Sequence, residues 1–322
     1  MKLIASYKDW KSTGFLIIGV LITLVFGIQC ANKKTPTIDE TPTRGNIRII
    51  VDESFQPITE AEISTFTSLY KYAHITPVYL PEKDLISAFL KDSIKLVVSS
   101  WEPSDQQKEL LRSSQIIVRT TAIAYDAIAL VINKENKDSL FTYRNVNDLF
   151  TGKLTDWKEI NSTSKLGKII AVFDNEKSAN IRYFKEEFKI GNQLPANFYS
   201  VKSNLDVINY VSKNKSAIGM VSINWLCDKH DSTTLSNANK IKIAAISHKV
   251  LDPRTYTRPE QGSIYDKSYP FTRKINMVSR ESFVGLASGF ITWCAAEQGQ
   301  RIVLKSGLLP ATMPIRTIQI KK

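Results

Sequence analysis

Serine recurs where short apolar runs give way to helical ones: Ser54 follows residues 47–51 (IRIIV), Ser99 and Ser100 follow 94–98 (IKLVV), and Ser178 follows 169–173 (IIAVF). A hydroxyl at such a junction lies beside the unpaired N–H groups and positive dipole end of a helix N-terminus, a combination that suits an anion. In an open α/β sheet the carboxyl ends of the strands line the ligand crevice, so junctions facing one cleft make a neutral, hydrogen-bonding anion site. Serine is also among the preferred N-cap residues, and capping alone would account for each of them. One side chain can do both.

Serine also invites a nucleophilic reading. SxxK occurs at 68–71, 162–165 and 212–215, but no SDN, KTG or GxSxG accompanies it, and serine acyl-enzymes need those partners. His74, His230 and His248 sit in polar stretches and offer little to a Ser-His-Asp triad. The glycines never fall as GxG and no P-loop is present, which removes the nucleotide fingerprints. Cys30, Cys227 and Cys294 form no CxxC pair and no zinc spacing, so neither a disulfide scaffold nor a structural metal is expected. The expectation is a binding protein with no enzymatic activity and no cofactor.

The elements that position the serines come from a chain of 322 residues, 43% hydrophobic and 23% charged. That composition is globular and long enough for two lobes, and it excludes a disordered chain, a collagen and a multi-span membrane protein. The formal charge of +12 is spread over single basic residues, often beside Asp or Glu. Without a basic block or a motif, nucleic acid is not an expected partner.

The first thirty residues read as an export signal. Lys2, Lys8 and Lys11 precede an uncharged run at 15–28 (FLIIGVLITLVFGI), which is shorter than the roughly 20 residues a bilayer span needs. Gly27-Ile28-Gln29-Cys30 resembles a lipobox, although Gln29 stands where Gly or Ala is usual. The expectation is lipidation at Cys30, an uncleaved anchor being the alternative. Residues 31–45, rich in Thr, Pro and charge, are expected to be a disordered tether.

From Asn46 onward β-branched runs alternate with amphipathic ones, the pattern of an α/β fold with mainly parallel sheets. Strands are predicted at 47–51, 76–80, 94–98, 122–133, 169–173, 217–221 and 275–278. Ile63, Phe66 and Tyr70, then Leu85, Ala88 and Phe89, then Ile181, Phe184 and Phe188 mark helix faces; further helices are predicted to begin at Val146 and to cover 207–211. The strand at 122–133 is long enough to leave one sheet and enter another. Residues 228–267 read as a polar excursion carrying loops, with weak strand signal at 241–246. Phe283, Leu286, Phe290 and Trp293 line a late helix on which Gly285 and Gly289 permit close packing, and a last helix lies around 300–304.

Five stretches carry a resemblance: VVSSWEPSDQQKELL at 97–111, YDAIALVIN at 125–133, VNDLFTGKLTDWKEIN at 146–161, AIGMVS at 217–222, and SYPFTRKINMVSRES through QGQRIVLKSGLLP at 268–310. With them the chain resembles the phosphate-binding proteins of high-affinity phosphate ABC transporters, within the type 2 periplasmic binding superfamily. The resemblance implies an α/β fold of two lobes, each a mainly parallel sheet flanked by helices, joined by two crossover strands and closing on a ligand between them. It implies residues 46–124 with 249–322 for the first lobe and 125–248 for the second, with Asp126 and the Tyr269-Pro270 pair near the crossovers. It further implies capture of phosphate or another small anion by an exported, monomeric lipoprotein on the periplasmic side of a bacterial membrane, and delivery to an ABC permease.

By the same resemblance Ser54, Phe55, Ser99, Ser100, Trp101, Ser178, Ala179 and Asn180 would line the ligand. In the family the second-lobe loop reads approximately Arg, three residues, Ser-Gly-Thr; here it is Asp174-Asn175-Glu176-Lys177-Ser178-Ala179-Asn180, and Trp101 stands where Asp or Arg is usual. A carboxylate about 4 Å from a dianion at an effective dielectric near 20 is repelled by roughly 8 kcal/mol. Asp52, Glu53, Glu102, Asp174 and Glu176 therefore cannot all point inward, charged, at phosphate. Either they face solvent while Lys177 or Arg182 holds the anion, or the ligand is another one, or the chain is a sensor or interaction module that has lost the anion site. Arg182 has Glu186 as an i,i+4 partner. Trp101 and Phe55 could stack on a ligand or simply pack.

Overall fold

The computed structural model describes residues 40–91, 94–248 and 255–312. The signal, the lipobox with Cys30 and the tether up to Asp39 lie outside the described residues. The strands are β1 (Gly45–Asp52), β2 (Ala73–Leu80), β3 (Leu96–Ser99), β4 (Arg119–Asn133), β5 (Leu140–Phe141), β6 (Ile170–Phe173), β7 (Phe198–Ser200), β8 (Ala217–Ser222), β9 (Ile241–Ile243), β10 (Ala245–Ser247), β11 (Tyr256–Thr257), β12 (Thr272–Ser279) and β13 (Leu309–Pro310). Between them run α1 (Gln56–Leu69), α2 (Glu82–Lys91), α3 (Asp105–Ser113), α4 (Tyr143–Phe150), α5 (Ala179–Glu187), α6 (Asn204–Lys213), α7 (Ser232–Ala238), α8 (Gln261–Tyr265), α9 (Leu286–Ala295) and α10 (Glu297–Lys305).

The main sheet runs β2-β1-β3-β12-β4-β8-β6-β7, with β9 and β13 also paired to β4. β1 pairs in parallel with β2 and β3, and β6 in parallel with β7 and β8. β4 joins the two halves. Its residues 119–127 pair antiparallel with β12, and Ile128 to Ile132 pair antiparallel with β8. At about 3.3 Å per residue its 15 residues reach across both lobes. The continuous buried run from Asp126 to Asn133 reflects cover on both faces. A second crossing lies beside it, where Tyr269 Oη donates to the Ile128 carbonyl (2.8 Å) and Ile128 N–H to the Phe271 carbonyl (2.9 Å).

Close helix–sheet packing explains two glycines. A Cβ at Gly219 of β8 would fall 2.6 Å from Val207 and 2.8 Å from Val211 of α6, so only glycine lets the helix lie that near the strand. At Gly289 a Cβ would fall 1.9 Å from the Pro42 carbonyl oxygen. The expected close packing of α9 is therefore against the segment at 40–44.

That segment corrects the expected extent of the tether. Thr41 and Arg44 form a β-bridge, and Glu40 pairs with Lys95 (2.6 Å) and accepts from the Leu286 N–H (3.2 Å). Residues 40–45 thus belong to the fold. Three other expectations change. α4 begins at Tyr143 under a Thr142 capping box and ends at Phe150, instead of starting at Val146. Phe283 precedes α9 and does not line it. The stretch at 228–267 contains α7, α8 and three short strands among its described residues. Of these, β11 pairs with β10, and the chain returns to the main sheet at Thr272, where β12 begins.

Candidate functional site

β1 ends at Asp52, whose Oδ1 accepts the Ser54 N–H (2.9 Å) and folds residues 53–55 into a single 3-10 turn. The turn buries Ser54 and Phe55 completely. From β12, Arg273 donates through Nε to Asp126 Oδ2 of β4 (2.8 Å), and its guanidinium carbon lies 4.8 Å from the centre of the Phe55 ring. Asp126 also accepts from Ser222 Oγ (2.9 Å). From the second lobe, Asp174 at the end of β6 accepts from Ser178 Oγ (2.6 Å) and Asn180 Nδ2 (3.0 Å).

Asn204, first residue of α6, ties these groups together. Its Nδ2 donates to Glu53 Oε2 (2.6 Å), its N–H to the same carboxylate (3.2 Å), and its Oδ1 accepts the Ser222 N–H (3.0 Å). Asn224 Nδ2 donates to the Ser54 carbonyl (3.1 Å). Strand ends from both lobes and the crossover therefore meet at one buried place. Within it Asp52 Oδ2, Ser54 Oγ, Asn180 Oδ1 and both terminal nitrogens of Arg273 are buried with no hydrogen-bond partner in the protein. Unpaired polar atoms in an interior cost about 1–3 kcal/mol each, so such a concentration marks a place built for something polar.

Burial dominates the electrostatics. It pushes the Asp52 carboxyl up to about 8, with the charges of Glu82 and Asp174 adding to the push and Arg273 and the Ser54 N–H opposing it. Burial likewise raises Glu53 to about 7 against the hydrogen bonds of Asn204, and Asp174 to about 6 against Ser178 and the Asn175 N–H. Glu82 goes the other way. Burial disfavours its charge, but the hydrogen bonds and charge of Arg182, joined by Ser99 and Ser100, hold the carboxyl below its ordinary value. At neutral pH Asp52 therefore keeps its proton while Glu82 is ionised.

Of the residues selected from the sequence, Ser54, Phe55 and Asn180 lie at this buried centre. Ser178 caps α5, accepting the Ile181 N–H (3.4 Å), and turns its own proton to Asp174. Ala179 is buried and brings no polar side chain. Ser99 and Ser100 do not cap a helix: α3 starts five residues beyond Ser100 under Ser104, and both hydroxyls donate to Glu82 Oε1 (2.8 and 2.9 Å). Ser54 is not a cap either, since Asp52 caps its turn. Trp101 packs edge-on against Phe89 at 5.6 Å inside a small apolar cluster, so its role is packing.

The expectation for the charges is corrected. Glu102 and Glu176 are exposed, but Asp52, Glu53 and Asp174 turn inward. The inward cation is Arg273. Lys177 pairs with Asp84 (2.9 Å) at the exposed edge, and Arg182 bonds Glu82 as well as the expected Glu186 (2.8 Å). Sequence reading missed Arg273, Asp126, Glu82 and Asn204 as site residues. A signal existed for the first pair: Asp126 is the one charge in the mostly apolar run 122–133, and a buried carboxylate demands a cation.

A family model for a PBP superfamily domain matches residues 37–298. The chain belongs to that superfamily. Among curated relatives, the phosphate-binding protein PstS of Staphylococcus epidermidis is 22% identical over 300 residues, covering 91% of this chain and 86% of the relative. PstS of Staphylococcus aureus is 25% identical over 220 residues, 66% of this chain and 62% of the relative. Among solved structures, a Clostridium perfringens protein with bound phosphate, assigned to the phosphate ABC transporter substrate-binding proteins, aligns with a TM-score of 0.70 at 22% identity over 83% of this chain and 100% of its own. An ABC-type phosphate transport receptor from Vibrio cholerae aligns with a TM-score of 0.61 at 17% identity over 84% and 100%. The two-lobed α/β fold is thereby established.

Proposed function

We propose that this chain is an exported solute-binding protein that captures phosphate or a closely related oxyanion between its lobes and releases it to an ABC permease, making and breaking no covalent bond. One observation carries the reading: the unpartnered Asp52 Oδ2, Ser54 Oγ, Asn180 Oδ1 and Arg273 Nη1 and Nη2 are gathered in one buried site from both lobes and a crossover strand. The relatives' printed binding of phosphate supports it. The division into lobes, the first holding 46–124 with the C-terminal return from Thr272 and the second the segment between, belongs to this proposal, as do a monomeric state and a lipid anchor at Cys30.

The donor and acceptor inventory names the ligand chemistry. Arg273 and Ser54 offer N–H and O–H to anionic oxygens, and Asn180, joined by Asp52 where it is ionised, offers an acceptor as well. A fully ionised tetrahedral anion has no hydrogen for those acceptors. A protonated phosphate does, and one proton can lie between Asp52 and the anion whichever of them bears it. This removes the roughly 8 kcal/mol repulsion that a bare carboxylate would impose on a dianion at about 4 Å. Phosphate is therefore expected to raise the melting temperature of the full chain. At 100 times its Kd the gain is about 2.7 kcal/mol, and sulfate should give far less. No shift with phosphate, sulfate or molybdate overturns the oxyanion reading and leaves the fold intact.

A further inference from the structure

Glu82 opens α2 in the first lobe and is fully buried. Its carboxylate is held as a bound oxyanion would be. Oε1 accepts from Ser99 Oγ (2.8 Å), Ser100 Oγ (2.9 Å) and Arg182 Nη2 (3.1 Å), while Oε2 accepts from Arg182 Nε. Arg182 comes from α5 of the second lobe and also donates to Ser100 Oγ (3.0 Å) and Glu186 (2.8 Å). The next two residues of the first lobe continue the seam: Lys83 N–H donates to the Lys177 carbonyl (3.1 Å), and Asp84 pairs with Lys177 (2.9 Å).

This seam has a consequence for the anion site. α5 carries Asn180 in its first turn beneath its Ser178 cap, and Arg182 lies on the same short helix. Fastening Arg182 to Glu82 therefore sets the distance between Asn180 and the first-lobe pair Asp52 and Ser54. The hydroxyls of Ser99 and Ser100 are spent on the same task. A bidentate arginine–carboxylate pair fixes direction as well as separation, which a point charge such as lysine does not.

We propose that Glu82 is a positioning residue of the anion site: an internal anion that, through Arg182, latches the lobes together by this chain's own charges, so that the closed form predominates before phosphate arrives. This rests on the two-lobed anion-site reading above. A ligand that binds only the closed form has an apparent Kd equal to its intrinsic Kd divided by the closed fraction, so the latch tightens binding without touching the ligand.

Small-angle scattering on the full chain in phosphate-free buffer, followed by calorimetric titration with inorganic phosphate, tests this. The unaltered chain is expected to keep the same radius of gyration with and without phosphate. Glu82→Gln is expected to expand without phosphate, contract on saturation and bind phosphate at least tenfold more weakly. Arg182→Gln, at a position less buried than Glu82, should behave alike if Glu82→Gln fails to fold, and the double variant should be no worse than either single one. An unaltered chain that contracts on adding phosphate, or variants that bind phosphate as tightly as it does or tighter, overturns the latch. If phosphate binds none of these proteins the oxyanion reading fails, and the ligand-free radii still decide the latch.

Discussion

At the scale of single residues, the chemistry of the site comes down to a carboxyl group that keeps its proton. Asp52 is pushed up to about 8, chiefly by burial. Its neutral form offers a hydrogen-bond donor, and its ionised form an acceptor, to whatever anion faces Oδ2. In Asp52→Asn the amide oxygen can still accept the Ser54 N–H, and the NH2 left facing the ligand can only donate. We expect this variant to bind both ions much as the unaltered chain does at pH 7, where Asp52 is itself a donor, and to favour phosphate over sulfate less than the unaltered chain at pH 9, where an ionised Asp52 can only accept, measured by titrating both ions at the two pH values. Unchanged selectivity at pH 9 would remove Asp52 from the recognition of the ligand.

Among the elements, α1 and α9 enclose a second protonated acid. Glu62 is fully buried, neither carboxyl oxygen has a regular hydrogen-bond partner, and the thiol of Cys294 lies near it. Burial raises it from 4.5 to about 9. A carboxyl with a raised folded-state value favours folding fully below about 4.5, and that contribution is lost as pH climbs towards 9. The loss by pH 7 is on the order of 3 kcal/mol. Glu62→Met, close in volume, should therefore raise the melting temperature by several degrees at pH 7.5 and flatten its decline between pH 5 and 9. Parallel pH curves for the two proteins would refute the assignment. The sequence hid this group. Glu62 sits beside Ile63 in a predicted helix, and an acid there reads as a solvated neighbour of the apolar face until α9 is packed over it.

For the whole molecule, β4 pairs with β12 in one half and β8 in the other, and carries Asp126 with its partner Arg273 at the junction. Membrane attachment also belongs to this scale. Among the described residues no helix is long and apolar enough to cross a bilayer, and the proposed anchor is the lipid on Cys30. A single acyl chain holds only marginally, whereas two or three hold firmly. In detergent phase partitioning the full chain should enter the detergent-rich phase, and after Cys30→Ala, with the signal processed, it should stay in the aqueous one. Equal partitioning would withdraw the anchor.

Much of the scaffold was legible along the chain because strand and helix periods are local. The apolar runs at 47–51, 169–173 and 217–221 lie within or beside β1, β6 and β8, and the length of 122–133 announced a strand, β4, that pairs with β12 at one end and β8 at the other. Ser54 could be picked out from its place after a strand, whereas Asn180 was a candidate only through the resemblance to the family's loop. The cation was not, because Arg273 meets Asp126 across 147 residues and no local pattern records such a partner. Nor was the fate of Ser99 and Ser100, which depends on Glu82 arriving from 17 and 18 residues away and Arg182 from the other lobe. Local backbone preference and hydrophobic period determined the elements and their order. Which charges survive burial, and which hydroxyls remain for a ligand, was decided only when distant segments were packed together, because an ion's cost in an interior depends on every group around it.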